Sequence, residues 1–275
     1  MSTGQQIIKI LAIIFAIIII VNIFGWIIFG ISTFLGVNII NEGRQETTNF
    51  SKTYTTNITK LKVETAISKL TIRRGEELKV EGTNLPKQFS SKIIGNTLTI
   101  KEEGNENIFQ NNPNSEIVVT LPDTISLNTL ELDMGIGNNV IENINAKNLD
   151  LDCGVGNLDI TNLTITNRAK IDGGAGKTTI QNSNLNDLDL DTGIGEVNLQ
   201  VHLTGNNKID SGVGNLKIDL TKSATEYAIT TKTGIGKMTI DHQNCQDNHT
   251  YGNGENQILI SGGVGQVEIQ TAQNL

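Results

Sequence analysis

The sequence predicts an all-β chain, a single-stranded β-solenoid (parallel β-helix-like, with a coil of about 19–20 residues) preceded by one transmembrane helix. Three observations predict it. Gly-x-Gly units recur at near-constant spacing, apolar residues alternate with period two inside each unit, and residues 11–35 are almost wholly apolar. Self-similarity at a period near twenty with internal period-two apolarity is what a stack of β-coils requires, because each coil buries its apolar face only against its neighbours.

The N-terminal stretch "LAIIFAIIIIVNIFGWIIFGISTFL", residues 11–35, lies in a run from Ile10 to Asn41 without a charged residue. Twenty-five helical residues span roughly 38 Å, enough to cross a hydrocarbon core of about 30 Å with some tilt. A cleaved signal peptide has a shorter apolar region and a small-x-small cleavage site, so an uncleaved anchor is expected over residues 1–41 with its short cytoplasmic tail. Lys9 precedes the span, whereas Glu42, Arg44 and Glu46 follow it. That bias points to a single-pass protein of the cell membrane with an extracytoplasmic C-terminal body. The bilayer is thus the first expected partner, and the second is an envelope protein or cell-wall component that the residues do not name.

Residues 42–60 are polar and without period and read as a linker. Residues 61–125 are expected to form a first coil and a cap. "LKVETAISKLTI", 61–72, is a degenerate copy with Ala66 and Ser68 at the glycine positions. "SKIIGNTLTIKEE" carries Gly95-Asn96 as a two-residue hairpin turn, and "EIVVTLP" reads as a further strand. A cap is needed because an uncovered terminal coil exposes a strand edge.

Residues 126–275 hold the array: "LELDMGIGNNVI", "LDLDCGVGNLDI", "AKIDGGAGKTTI", "LDLDTGIGEVNL", "NKIDSGVGNLKI", "ITTKTGIGKMTI" and "ILISGGVGQVEI". The glycine pairs are Gly135 and Gly137, Gly154 and Gly156, Gly174 and Gly176, Gly193 and Gly195, Gly212 and Gly214, Gly234 and Gly236, and Gly263 and Gly265. First glycines are spaced by 19, 20, 19, 19, 22 and 29 residues, so insertions fall near the C-terminal end. In the second unit Leu149, Leu151, Cys153 and Val155 share one parity and are expected to point inward. After Gly156 the inward set becomes Leu158, Ile160, Leu163 and Ile165. A parity flip marks a corner, where glycine tolerates unusual dihedrals. At about 3.3 Å per residue a coil has a perimeter near 63 Å, which fits two or three short strands.

"DGGAGKTT", 172–179, looks like a phosphate-binding loop. That loop needs a glycine where this chain has Ile171, and a helix after it, so the stretch is simply a copy of the array and no nucleotide is expected. A net charge of −8 argues against nucleic acid. Two cysteines, Cys153 and Cys245, exclude a disulfide-stapled fold, and no Cys-x-x-Cys motif exists.

Asp133, Asp152, Asp172, Asp191 and Asp210 occupy one outward position in five successive units, with Lys232 and Ser261 following. They are a candidate interaction or cation ladder. A calcium column is weighed against a solvated face, because the nine-residue calcium repeat requires an Asp that varies here. Acids and bases partly alternate two residues earlier, at Glu131, Asp150, Lys170, Asp189 and Lys208. His242, Cys245 and His249 carry zinc-ligand chemistry, but nothing regular surrounds them, so no metal site or other cofactor is assigned. Carboxylates offered equally on every coil do not make the unique acid–base pair a glycosidase needs, and the sole tryptophan, Trp26, lies in the predicted span. No catalytic residue is assigned, and the chain is not expected to be an enzyme.

The tandem "LDxGxGxLxI" units, "VETAISKLTI", "TLTIKEE" and "IVVTLP" resemble the adhesin-like β-strand-repeat proteins of bacterial envelopes over residues 61–270. That family is largely of unknown function. The resemblance implies a non-catalytic interaction module, and since some relatives with one N-terminal span belong to Lia-type operons, it implies a link to the cell-envelope stress response. Adhesion or wall-glycan binding is the alternative, and a polysaccharide-active enzyme comes third.

Overall fold

The computed structural model describes residues 47–102 and 114–272, so the predicted tail and span at 1–41 lie outside them. Among the described residues no helix is long and apolar enough to cross a membrane. The chain is all-β.

The first strands are β1 (Thr47–Tyr54), β2 (Lys60–Ile67), β3 (Lys69–Gly75), β4 (Leu78–Pro86), β5 (Ser90–Ile94), β6 (Thr97–Lys101) and β7 (Glu116–Pro122). The array then supplies β8 (Leu127–Glu142), β9 (Asn145–Thr161), β10 (Thr164–Asp172), β11 (Ala175–Asn186), β12 (Leu188–Asp191), β13 (Ile194–Thr204), β14 (Asn206–Asp210) and β15 (Val213–Ser223). After a 3-10 turn at Ala224–Glu226 come β16 (Tyr227–Lys232), β17 (Ile235–Ile240), β18 (Gln243–Asn244), β19 (His249–Tyr251), β20 (Asn256–Ser261) and β21 (Val264–Ala272).

Equivalent positions of successive units pair in parallel: Leu151 with Ile171, Ile171 with Leu190, and Leu190 with Ile209. Each coil has three extended segments. In the second unit they carry Leu149 and Leu151, then Leu158 and Ile160, then Leu163 and Ile165, all buried. Each such side chain contributes roughly 1.5–3 kcal/mol by leaving water, and aliphatics suffice because the core is a column only a few side chains wide. The bend between the second and third segments is made by asparagines with positive φ, Asn143 (58°), Asn162 (56°) and Asn182 (51°). Asparagine tolerates that region, and Asn162 Nδ2 donates to Asn143 Oδ1 at 2.8 Å, tying one bend to the next.

The order of layers departs from the order of the sequence at both ends. Asp210 pairs with Ser261, and Ser261 pairs with Lys232, so the last repeat lies between its two predecessors. Lys232 and Ser261 therefore extend the aspartate column in reverse of the expected sequence. The longer spacings of 22 and 29 are the extra chain this needs: β16–β17 overshoot one layer, and β20–β21 return to fill the gap. β18 and β19 then pair antiparallel with β17 and β16. The N-terminal end is built likewise. β2 lies between β6 and β8, and β3 between β7 and β8. β4 covers β7 and β5 covers β6 in antiparallel pairings, the latter through the Gly95-Asn96 turn. β1, in the segment the sequence suggests is a linker, pairs antiparallel with β4 over Thr47–Tyr54 and adds Tyr54 to the core. Its polarity reflects a strand exposed along most of its length.

Where the first coil lacks glycines, a buried carboxylate takes over. Glu102 accepts from Ala66 N at 2.9 Å and from Ser68 Oγ at 2.6 Å, and Ser68 Oγ also lies 2.7 Å from Ser115 Oγ. Buried polar groups are held because each is paired.

Candidate functional site

The Gly-x-Gly corners stack into one edge of the solenoid. At the second glycine of every pair after Gly135 and Gly137 φ is strongly positive, for example 135° at Gly156 and 141° at Gly195. A Cβ at either glycine of a pair would run into backbone atoms of the adjoining coil. Backbone hydrogen bonds run straight up this edge: Ile194 N donates to Gly174 O at 2.9 Å, Val213 N to Gly193 O at 2.9 Å, and Val264 N to Gly212 O at 2.8 Å. The glycines therefore serve a close approach as well as a turn.

The residue between the two glycines points out. Pairing places Ile67, Ile136, Val155, Ala175, Ile194, Val213, Val264 and Ile235 in one column, in that order. Ile194 is 62% exposed and even the most covered of the exposed set, Ile136, is 44% exposed. The inward placement of Val155 is thereby corrected: it is 53% exposed. The parity flips at Gly154, two residues earlier than the hydrophobic pattern suggests, so Cys153 is the last inward side chain before the corner.

Two polar columns flank this ridge. On one side run Glu64, Asp133, Asp152, Asp172, Asp191, Asp210, Ser261 and Lys232 in successive layers. On the other, directly after the second glycine, run Asn138, Asn157, Lys177, Glu196, Asn215, Gln266 and Lys237, all exposed.

The aspartates are not equivalent. Lys170 Nζ bonds Asp172, which together with its charge holds the Asp172 carboxyl below its ordinary range. Burial, then the hydrogen bond and charge of Asp172, push Asp152 up. At Asp210 burial pushes upward, but hydrogen bonds from Lys208 and Ser261 outweigh it and the carboxyl lies low. Asp191 Oδ1 accepts from Gly193 N at 3.1 Å, bonding its own turn. Asp133 begins the run, stacked on Glu64. Two residues earlier, Glu131 is held low by Lys60 at 2.5 Å and Lys62 at 2.6 Å.

Among the described residues no three of His, Cys, Asp or Glu converge as a metal would need. His249 instead packs edge-on against Tyr251. Both cysteines are free. Burial, then the charge of Asp152, push the Cys153 thiol up to about 12, and burial raises Cys245, so neither is a poised nucleophile. The cavity under the corner, between Gly135 and Val197, holds about 20 Å³, room for about one water. At the C-terminal end a cavity of about 240 Å³ is lined by Ile229, Ile240 and Tyr251 among others. The carboxylate at its edge, Asp241, is already bonded by Thr271 N at 2.8 Å and Thr271 Oγ1 at 2.9 Å. Ligand sites usually exceed about 300 Å³ and converge unpaired polar groups. The arrangement is one of long, regular surfaces.

Sequence reasoning found the aspartate column and the glycines but missed the exposed ridge. Its signal was there: Asp152 and Val155 stand three residues apart, a spacing that one turned corner makes co-facial.

A family model described as Toastrack DUF4097 matches residues 58–270. Among solved structures, a "putative adhesin" of Bacteroides fragilis is 17% identical with a TM-score of 0.50, covering 82% of this chain and 98% of its own. A "putative cell adhesion protein" of Clostridium sporogenes is 18% identical with a TM-score of 0.44, covering 82% of this chain and 100% of its own. A "putative lipid binding protein" of Parabacteroides distasonis is 15% identical with a TM-score of 0.39, covering 84% and 98%. None of the curated proteins matches the chain. The first of these likenesses shows the shared fold.

Proposed function

The chain belongs to the Toastrack DUF4097 family, and on that premise we propose that its solenoid is a non-catalytic interaction module, held outside a cell membrane by residues 11–35. The observation that supports this reading is the exposed aliphatic ridge. Seven Gly-x-Gly corners present a side chain between the glycines, and six of these are large hydrophobics exposed by 44–62%. A contiguous apolar patch of that extent is characteristic of an interaction site.

The aspartate column acts as a polar rim. Lys170, Lys208 and the Gly193 amide already engage three of its carboxylates, so on this reading the protein works without calcium. The envelope-stress role rests on the layout of one predicted span followed by the repeat body.

The test is a photo-cross-linking side chain placed at Ile194 in the full chain, in intact cells, with Asn184, exposed on another face of the coil, as control. Capture of a defined membrane protein at 194 but not at 184 is the expected result. Capture of wall glycan alone would favour adhesion, and equal labelling at both sites would remove the ridge from the reading.

A further inference from the structure

We propose that the aliphatic ridge docks on the same ridge of a second copy, the two solenoids lying parallel about a two-fold axis that runs along the column. The inference rests on the corner being an interaction surface and names its partner.

Periodicity is the first argument. The rungs repeat at the inter-strand spacing of about 4.8 Å, and eight of them run from Ile67 to Ile235 over roughly 34 Å. An unrelated globular surface matches such a repeat at one or two rungs. A second copy matches it at every rung.

Shape is the second. From Ile136 to Ile235 each side chain of the ridge stands between two glycines, so the ridge is bordered along those seven rungs by strips of bare backbone. Two such ridges can sit side by side, each in the other's glycine strip, with no side chain in the way. Backbone packing fixes these glycines, and it leaves a surface that is self-complementary, as a two-fold interface must be.

Charge and the place of β1 together select the orientation. The column before the ridge carries five aspartates and Lys232 across the array, and the column after it carries Lys177 and Lys237 against Glu196. An axis along the ridge sets the acidic column of one copy against the neutral-to-basic column of the other. It places Asp172 opposite Lys177, and Asp133, Asp152 and Asp210 opposite the amides of Asn138, Asn157 and Asn215, against two like-charge meetings, Asp191 with Glu196 and Lys232 with Lys237. An axis across the middle of the eight rungs sets acidic column against acidic column, with Asp172 facing Asp191 and Asp152 facing Asp210. The parallel pair also brings both copies of β1 to one end, the arrangement a shared membrane accepts.

A strip about 34 Å long and about 10 Å wide covers roughly 350 Å² per copy. The two flanking columns about double it, toward the low end of the 1,200–2,000 Å² total of stable complexes. The pair is therefore weak when free in solution and becomes firm when tethering concentrates the copies.

The full chain, with Cys153→Ser and Cys245→Ser, is the background for single cysteines in membranes under mild oxidation. Serine already occupies the Cys153 column at Ser211. Ile136→Cys, Ile194→Cys and Ile235→Cys are each expected to form disulfide-linked homodimers at least tenfold more than Asn184→Cys. Differently tagged Ile136→Cys and Ile235→Cys chains are expected to form no mixed dimer with one another. A dominant mixed dimer would overturn the parallel arrangement, and no excess over the Asn184→Cys control would overturn self-docking. Photo-cross-linking at Ile194 in the same membranes separates the two failures. A different component captured there leaves the interaction surface standing while self-docking falls. No specific capture removes both. Melting of each variant within a few degrees of the parent shows that the solenoid is intact.

Discussion

At the scale of single residues, neighbouring positions on the corner carry opposite tolerances. Gly195 has φ 141° and its missing Cβ would meet the backbone of Gly176, so Gly195→Ala forces both strain and separation of two coils. It is expected to cost about 2–4 kcal/mol. Ile194, beside it, is 62% exposed, and Ile194→Asp is expected to stay within about 0.5 kcal/mol of the parent. Denaturant unfolding of the full chain measures both. A costly Ile194→Asp would mean that the ridge is covered within the chain itself. The aspartates make a pH-dependent counterpart. Asp152 has a folded pKa above its unfolded one, so its ionised form opposes folding, and that penalty is relieved as pH falls through the raised value. Asp172 has the reverse sign: its contribution is present above its unfolded pKa and is lost as pH falls through the depressed one. Asp152→Asn should therefore stabilise at pH 7, by no more than about 0.5 kcal/mol because both groups are largely solvated. The gain should shrink toward pH 4. Destabilisation at neutral pH would show that Lys170 and the Asp152 carboxylate matter more to each other than the two carboxylates do.

At the scale of elements, the exchange of the last two repeats gives a sign that chain order alone would reverse. β21 has β15 on one side and β17 on the other, whereas β17 has β21 and only a two-residue pairing with β18. Amides of β21, next to the C-terminus, should exchange with solvent roughly a hundredfold more slowly than those of Gly236–Met238, a difference of about 3 kcal/mol in opening free energy. Equal or inverted protection would mean that the repeats stack in sequence order. The coil of two or three strands, the Gly95-Asn96 hairpin and the buried positions Leu149, Leu151, Leu158, Ile160, Leu163 and Ile165 were legible because period-two apolarity and turn residues are local signals. Layer order was not legible. The units "ITTKTGIGKMTI" and "ILISGGVGQVEI" fit either layer equally well, and only the unequal spacings of 22 and 29 hinted at a detour. The ridge was hidden for a different reason. A column that is always aliphatic reads as core, yet hydrophobic identity does not imply burial, and here the second glycine turns the chain so that Val155 faces out. Glu102 was hidden too, because its partners Ala66 and Ser68 are distant in sequence and mark a place where the glycine motif has been lost.

At the scale of the whole molecule, the solenoid is quasi-one-dimensional: each coil touches only the layers above and below. Stability should then be close to a sum of coil and interface contributions, and a coil in the middle of the regular run should be dispensable. Residues 187–205 are such a coil. Asp172 pairs with Asp191 and Asp191 with Asp210, and Gly176 pairs with Gly195 and Gly195 with Gly214. Removing these nineteen residues joins Asn186 to Asn206 and sets Ile171 on Ile209 and Ile180 on Ile218, with every glycine and aspartate still in register. The shortened chain is expected to fold with one cooperative transition and to lose only about 1–2 kcal/mol, one share of a total stability near 5–15 kcal/mol. Deleting ten residues instead, about half a coil, sets unlike segments on one another and leaves glycine corners without partners, and that chain is expected not to fold. Circular dichroism melts of the two deletions decide the matter. Failure of the nineteen-residue deletion, with the parent folding normally, would show that the coils are individually fitted to their neighbours. Success would also supply a folded chain whose ridge is one rung shorter, in which ridge-dependent association should weaken while the two capped ends are unchanged.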